Sequence, residues 1–100
     1  MDGISRIARE RKRQIEEEHW THRHDEGHTN GALAVNAAAL AVNGTDAHIA
    51  HPDLDEGEDY DEFGLVKKHA ENRIRQLEIA GALLAAEIDR LLWERGTKED

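Results

Sequence analysis

Six positions, Ile74, Leu77, Gly81, Leu84, Ile88 and Leu91, follow one another at spacings of 3, 4, 3, 4 and 3 residues. That spacing puts all six on one stripe of an α-helix and matches the seam of paired helices. A strand alternates every second residue and cannot place them on one face. Ile79, Ala80 and Leu83 lie beside the stripe and widen the apolar surface past a single face. With Gly96 as a stop signal, a helix is predicted over 65–95. A helix of that length with two apolar faces needs more cover than two short helices supply. The expected fold is all-α, a three-helix arrangement with a long C-terminal helix, completed by dimerisation. At 100 residues the chain holds one domain, 1–100, with a thin core.

Two shorter helices complete the pattern. In 4–18, Ile4, Ile7, Ala8 and Ile15 recur at helical spacing, and Arg11–Arg13 and Glu16–Glu18 supply pairs one turn apart. In 32–43 almost every residue is alanine, leucine or valine, with Asn36 the polar exception. A small helix apolar on nearly all sides belongs in the middle of the molecule, closely approached by its neighbours. Thr29 or Asn30 can cap its start, and Asn43-Gly44 can end it. Between the second and third helices, 45–64 carries eight acidic residues and no basic one, and reads as an acidic linker.

The charge balance narrows the function classes. The formal net charge is -9, whereas a duplex DNA binder concentrates lysine and arginine against the phosphates, so no direct duplex DNA binding is expected. Absence of cysteine removes disulfides, thiol nucleophiles and thiolate zinc sites. The longest apolar run is too short to span a bilayer, and the first residues carry no signal-like stretch. The expectation is a cytoplasmic protein without a membrane partner.

Two places carry candidate chemistry. His19, His22, His24 and His28 fall within ten residues, alongside Asp25 and Glu26. Imidazole nitrogens suit zinc, manganese or iron, and carboxylates suit Mg²⁺ or Mn²⁺. A polar loop whose histidines cap helices and bond to backbone is the competing account. Glu87 lies at the flank of the apolar arc of the long helix, where a lone carboxylate is costly. It needs either a metal or a cation such as Arg11 or Arg13. On the first helix Glu10, Arg13, Gln14 and Glu17 form a polar face that could line a site or face solvent.

Several motifs, taken in order, resemble a small phage and prophage protein family. They are Glu10-Arg11-x-Arg13-Gln14-Ile15, Glu18-x-Trp20-Thr21, His24-Asp25-Glu26-x-His28, Leu33-Ala34-x-x-Ala37-Ala38 and Ala80-Gly81-Ala82-Leu83-Leu84-Ala85-Ala86-Glu87-Ile88-Asp89-Arg90-Leu91. Together they cover about half of the chain. The layout is also distantly similar to the MazG-like all-α nucleoside triphosphate pyrophosphohydrolases, which hold Mg²⁺ with acidic residues on two helices. Where those enzymes carry EExxE and a later ExxD, this chain has Glu16-Glu17 followed by Trp20, and Glu87-Ile88-Asp89.

The resemblance implies a metal-dependent protein acting on nucleotides. Asp25, Glu26 and Glu87 would be catalytic, and His24, Asp25, His28 and Glu87 would hold a divalent metal, Mg²⁺ or Mn²⁺ with Zn²⁺ also accommodated. Arg11, Arg13 and Gln14 would meet the substrate. The alternative is a non-catalytic phage accessory protein, a homo-oligomer that binds a host protein or a small nucleotide.

Overall fold

The computed structural model describes residues 1–20, 31–45 and 61–96. Among these residues all regular structure is helical: α1 (Gly3–Glu16), α2 (Ala32–Val42), α3 (Leu65–Lys68) and α4 (Arg73–Glu94). The all-α class expected from the sequence is the class observed. α4 is the organising element, with α2 packed on one face, α1 on another, and α3 against α2. No helix among the described residues is long and apolar enough to cross a membrane.

Each helix begins and ends for local reasons. The Asp2 carboxylate accepts the Ser5 amide at 2.9 Å and caps α1. α2 starts from Gly31, which takes a left-handed φ of 82° with no side-chain cap. The expected caps Thr29 and Asn30 lie outside the described residues. Its far end turns at Gly44, φ 73°, as the Asn43-Gly44 signal predicts. There Arg73 donates to the carbonyls of Leu40, Ala41 and Asn43 at 2.9, 2.6 and 2.8 Å. A guanidinium on the last free carbonyls of a helix satisfies orphan acceptors and meets the negative end of the helix dipole.

The continuous helix expected over 65–95 is instead two helices. Asp61 accepts the amides of Val66 and Lys67 and starts α3. At His69 the backbone leaves helical geometry. Asn72 then accepts the Arg75 amide at 3.0 Å and starts α4. Ala70, Glu71 and Asn72 are all exposed, so no burial opposes the break, while asparagine favours a cap over a helix interior. The three-helix expectation becomes four helices, the acidic 46–60 segment lying outside the described residues.

The core joins Leu33, Ala37 and Leu40 of α2 to Ile79, Ala80, Leu83 and Ala86 of α4, closed by Leu65, Val66 and the half-buried Trp20 and Phe63. The alanines on both helices let the two backbones approach, which multiplies close contacts where no single side chain is large. Asn36, the polar residue of α2, is fully accounted for. It donates to the Ala32 carbonyl at 2.8 Å and accepts the Phe63 amide at 3.0 Å. The face of α4 that α2 covers is therefore the widening face of Ile79, Ala80 and Leu83. The seam itself stays outside, with Ile74, Leu77, Leu84, Ile88 and Leu91 each between 39% and 61% exposed.

Gly81 is the one seam position without a side chain, and Ile7 of α1 fills its place. A Cβ built on Gly81 would lie 2.5 Å from Ile7 Cδ1 and 2.7 Å from its Cγ1. Because Ile7 is branched at Cβ and stiff, it yields little. Gly81→Leu is expected to lower stability by about 1–3 kcal/mol through overpacking. Adding Ile7→Ala should recover part of the loss in thermal unfolding. Two substitutions whose effects simply add would contradict the contact.

Candidate functional site

α1 carries few apolar residues, and the structure buries its polar ones. Glu10, Arg11 and Gln14 are buried, whereas Ile4 is 82% exposed. Of the polar face read from the sequence, Glu10 and Gln14 are thus buried, with Glu10 bonded to α4, whereas Arg13 and Glu17 line an open cleft. Glu10, whose side chain is 1% exposed, is the focus. Arg75 of α4 reaches Glu10 Oε1 at 2.7 Å, and Arg13 holds both oxygens, Nε to Oε1 at 2.9 Å and Nη2 to Oε2 at 3.0 Å. Gln14 Nε2 donates to Oε2 at 3.1 Å.

A second carboxylate extends the network. Glu78 accepts from Arg6 at 3.0 Å and from Arg75 at 3.2 Å, so Arg75 bridges Glu10 and Glu78. Burial by itself opposes ionisation of both acids. The hydrogen bonds from Arg13 and Arg75 outweigh it at Glu10, and those from Arg6 and Arg75 outweigh it at Glu78. Both carboxyls are held below their ordinary value of 4.5. Arg13 also spreads outward, to Glu18 at 2.9 Å and Glu17 at 3.6 Å.

Around this network lies an open cleft of about 400 Å³ between α1 and α4, lined by Arg6, Arg9, Lys12, Arg13 and Arg75 with Glu10, Glu16, Glu17 and Glu78. Five cations against four acids make it a positive spot on a chain of net charge -9. Arg9 and Lys12 are exposed and hold no ion pair among the described residues. The volume lies within the usual range for small-ligand sites.

The residues singled out from the sequence separate into three groups. Arg13 lines the cleft. Arg11 and Gln14 do not. Arg11 donates to the Trp20 carbonyl at 2.7 Å and to Asp89 at 3.3 Å, tying the end of α1 to itself and to α4. Gln14 is 0% exposed, and its Oε1 has no hydrogen-bond partner among the described residues. His24, Asp25, Glu26 and His28 lie outside the described residues.

Glu87 is described, and its cation is neither Arg11 nor Arg13. Arg90, one turn along the same helix, donates to it at 2.6 Å and also holds Glu94 at 2.9 Å. The side chain of Glu87 is 15% exposed, so this pairing answers the cost of its burial. Among the described residues no group of three or more histidine, aspartate or glutamate side chains converges as a metal site requires.

Arg75 and Glu78, central to the cleft, were not singled out by the sequence reading. Their spacing of three on one helix was a visible signal. Their partners, however, lie more than 60 positions away in the chain. Of the motif Glu10-Arg11-x-Arg13-Gln14, Glu10 and Arg11 bond across to α4, Gln14 is buried and bonds to Glu10, and Arg13 lines the cleft. Comparison with protein families, with curated proteins and with solved structures finds no match to this chain.

Depressed carboxyls in the folded state make stability pH-dependent. The contribution of Glu10 and Glu78 is fully present above 4.5 and is lost as pH falls through their lower folded values. Thermal unfolding should therefore show a melting temperature that falls on acidification below pH 4.5. In Glu10→Gln that fall should be shallower, from a lower starting point. An unchanged acid slope in the variant would contradict the assignment.

Proposed function

We propose that the α1–α4 cleft receives the phosphates of a nucleotide, and that the chain is a helical nucleotide-acting protein. The observation that carries this is the concentration of Arg6, Arg9, Lys12, Arg13 and Arg75 at one cleft of an acidic chain. Guanidinium groups meet phosphate oxygens through paired, charge-assisted hydrogen bonds. Arg9 and Lys12 offer charge not already committed to an acid among the described residues. Arg13 and Arg75 are held in place by Glu10, which fixes their direction without a ligand. The distant similarity to MazG-like enzymes supports a nucleotide as the phosphate bearer. A cytoplasmic location accords with that ligand.

In the catalytic form of this reading a divalent metal, Mg²⁺ or Mn²⁺, would polarise the phosphoryl group. Asp25, Glu26, His24 and His28 would hold it. Glu87 fits such a set poorly, because Arg90 already neutralises it at 2.6 Å. That pairing favours a second reading, in which the protein captures a nucleotide without turning it over, as a phage accessory protein would.

Calorimetric titration with ATP and with inorganic triphosphate tests the cleft. Both should bind, more weakly as salt is added. Arg9→Glu combined with Lys12→Glu should weaken binding by about tenfold or more while leaving the circular dichroism spectrum unchanged. Equal affinity in the variant would reject the cleft. Chromatography of the nucleotides after incubation with Mg²⁺ or Mn²⁺ then separates the two readings. Monophosphate with pyrophosphate signals catalysis, and intact nucleotide signals capture.

A further inference from the structure

His69 stands at the joint between α3 and α4, on the corner of the molecule next to the α1–α4 cleft. Its carbonyl accepts the Asn72 amide at 3.0 Å, and the Asn72 side chain in turn caps the Arg75 amide. The turn is therefore pinned from His69 to the guanidinium that bridges Glu10 and Glu78. The half-buried His69 lines a hollow of about 510 Å³ with Lys67, Lys68, Glu71 and Asn72. We propose that His69 is a proton switch on the phosphate cleft, which takes up a proton when an anion fills the cleft and so tightens binding as pH falls. This regulation rests on the phosphate reading of the cleft given above.

The groups around the ring set its protonation state. Burial disfavours the imidazolium, and Arg75 of α4, Lys68 of α3 and Arg13 of α1 repel it further, against the attraction of Glu10. The ring is held below its ordinary 6.5 and is neutral at physiological pH. Lys67 and Glu71, which share its hollow, add one charge of each sign. Lys68 also acts on Glu18, which Arg13 holds at 2.9 Å, so the corner and the cleft share one electrostatic field.

Two of the cations that keep the proton off, Arg75 and Arg13, are guanidiniums that line the cleft. A phosphate bound there would neutralise those same groups. Its negative charges cancel the repulsion on the ring, and the imidazolium becomes easier to form. By linkage, a ligand that raises the affinity for a proton itself binds more tightly where the proton is on.

The residue type and its surroundings suit this role. A lysine at this corner would carry its charge across the whole physiological range and respond to nothing, whereas histidine changes charge within it. Glu10 and Glu78 are held below 4.5 and stay ionised while His69 titrates. The scaffold that orients Arg13 and Arg75 therefore persists on both sides of the switch.

Nuclear magnetic resonance titration of the His69 ring in the full chain, with and without inorganic triphosphate, tests this. The His69 signal is the one that His69→Gln removes. Without ligand its midpoint should lie below 6.5. Saturating triphosphate should move that midpoint up by about half a pH unit or more. Calorimetry gives the matching readout, with the titration of triphosphate itself cancelled by comparing the unsubstituted chain with His69→Gln. The ratio of their affinities should rise about twofold or more between about pH 8 and about pH 5.5. A midpoint that stays in place while calorimetry shows triphosphate bound overturns the switch and leaves the cleft standing. So does an affinity ratio that is flat with pH. Absence of triphosphate binding at either pH overturns the cleft, and the switch with it. In Arg9→Glu combined with Lys12→Glu, a triphosphate concentration that half-saturates the unsubstituted chain should move the midpoint less. Undiminished movement there would put the anion in the hollow of Lys67 and Lys68 and overturn the coupling to the cleft.

Discussion

A carboxylate with almost no exposed surface, Glu10, sits between two guanidiniums, and the placement of α1 depends on that contact. α1 has too little apolar surface to dock by burial alone: Ile7 reaches α4, Ile4 faces water, and Ile15 is 37% exposed. What fastens it is the set of bonds that cross to α4, Arg75 to Glu10, Arg6 to Glu78 and Arg11 to Asp89, while Arg13 and Gln14 of α1 itself hold the Glu10 carboxylate in place. Ion pairs taken out of water compensate their desolvation only when nearly every oxygen is bonded, and both oxygens of Glu10 are. The arrangement specifies position more than it adds stability. A helix held by directed bonds has one seat, where a purely apolar helix could rotate or slide.

The same contact builds the candidate site. Glu10 and Glu78 anchor Arg13, Arg75 and Arg6, so the cleft's cations are oriented by acids beneath them. Arg9 and Lys12 stand outside that bonding. An anion arriving at the cleft would meet fixed guanidiniums and two uncommitted charges. Preorganised donors of this kind lose little freedom on binding.

Much of this was legible in the sequence, and the remainder failed for identifiable reasons. The period of α4, the apolar middle helix and the Gly44 turn follow from local patterns, which is why they could be read. The helix break at 69–72 was missed because no proline or glycine marks it; Asn72 makes it by capping the start of α4. Glu87 was read as requiring either a metal or a cation such as Arg11 or Arg13, and Arg90, three residues along, supplies a cation. The larger gap concerns α1. Its polar face was visible, yet whether that face lines a site, meets water or docks depends on Arg75 and Glu78. Those residues lie more than 60 positions away, and periodicity says nothing about them. The histidine and acid cluster at 22–28, prominent in the sequence, lies outside the described residues.

The central claim, that a buried charge contact seats α1 on α4, is tested most directly by a double-mutant cycle. Glu10→Gln, Arg75→Met and the pair together would be compared by chemical unfolding at neutral pH. Each single change should cost about 2–3 kcal/mol, and the two should couple by at least about 1 kcal/mol. Costs that add without coupling would mean that Glu10 and Arg75 do not hold each other, and that α1 is seated by something else.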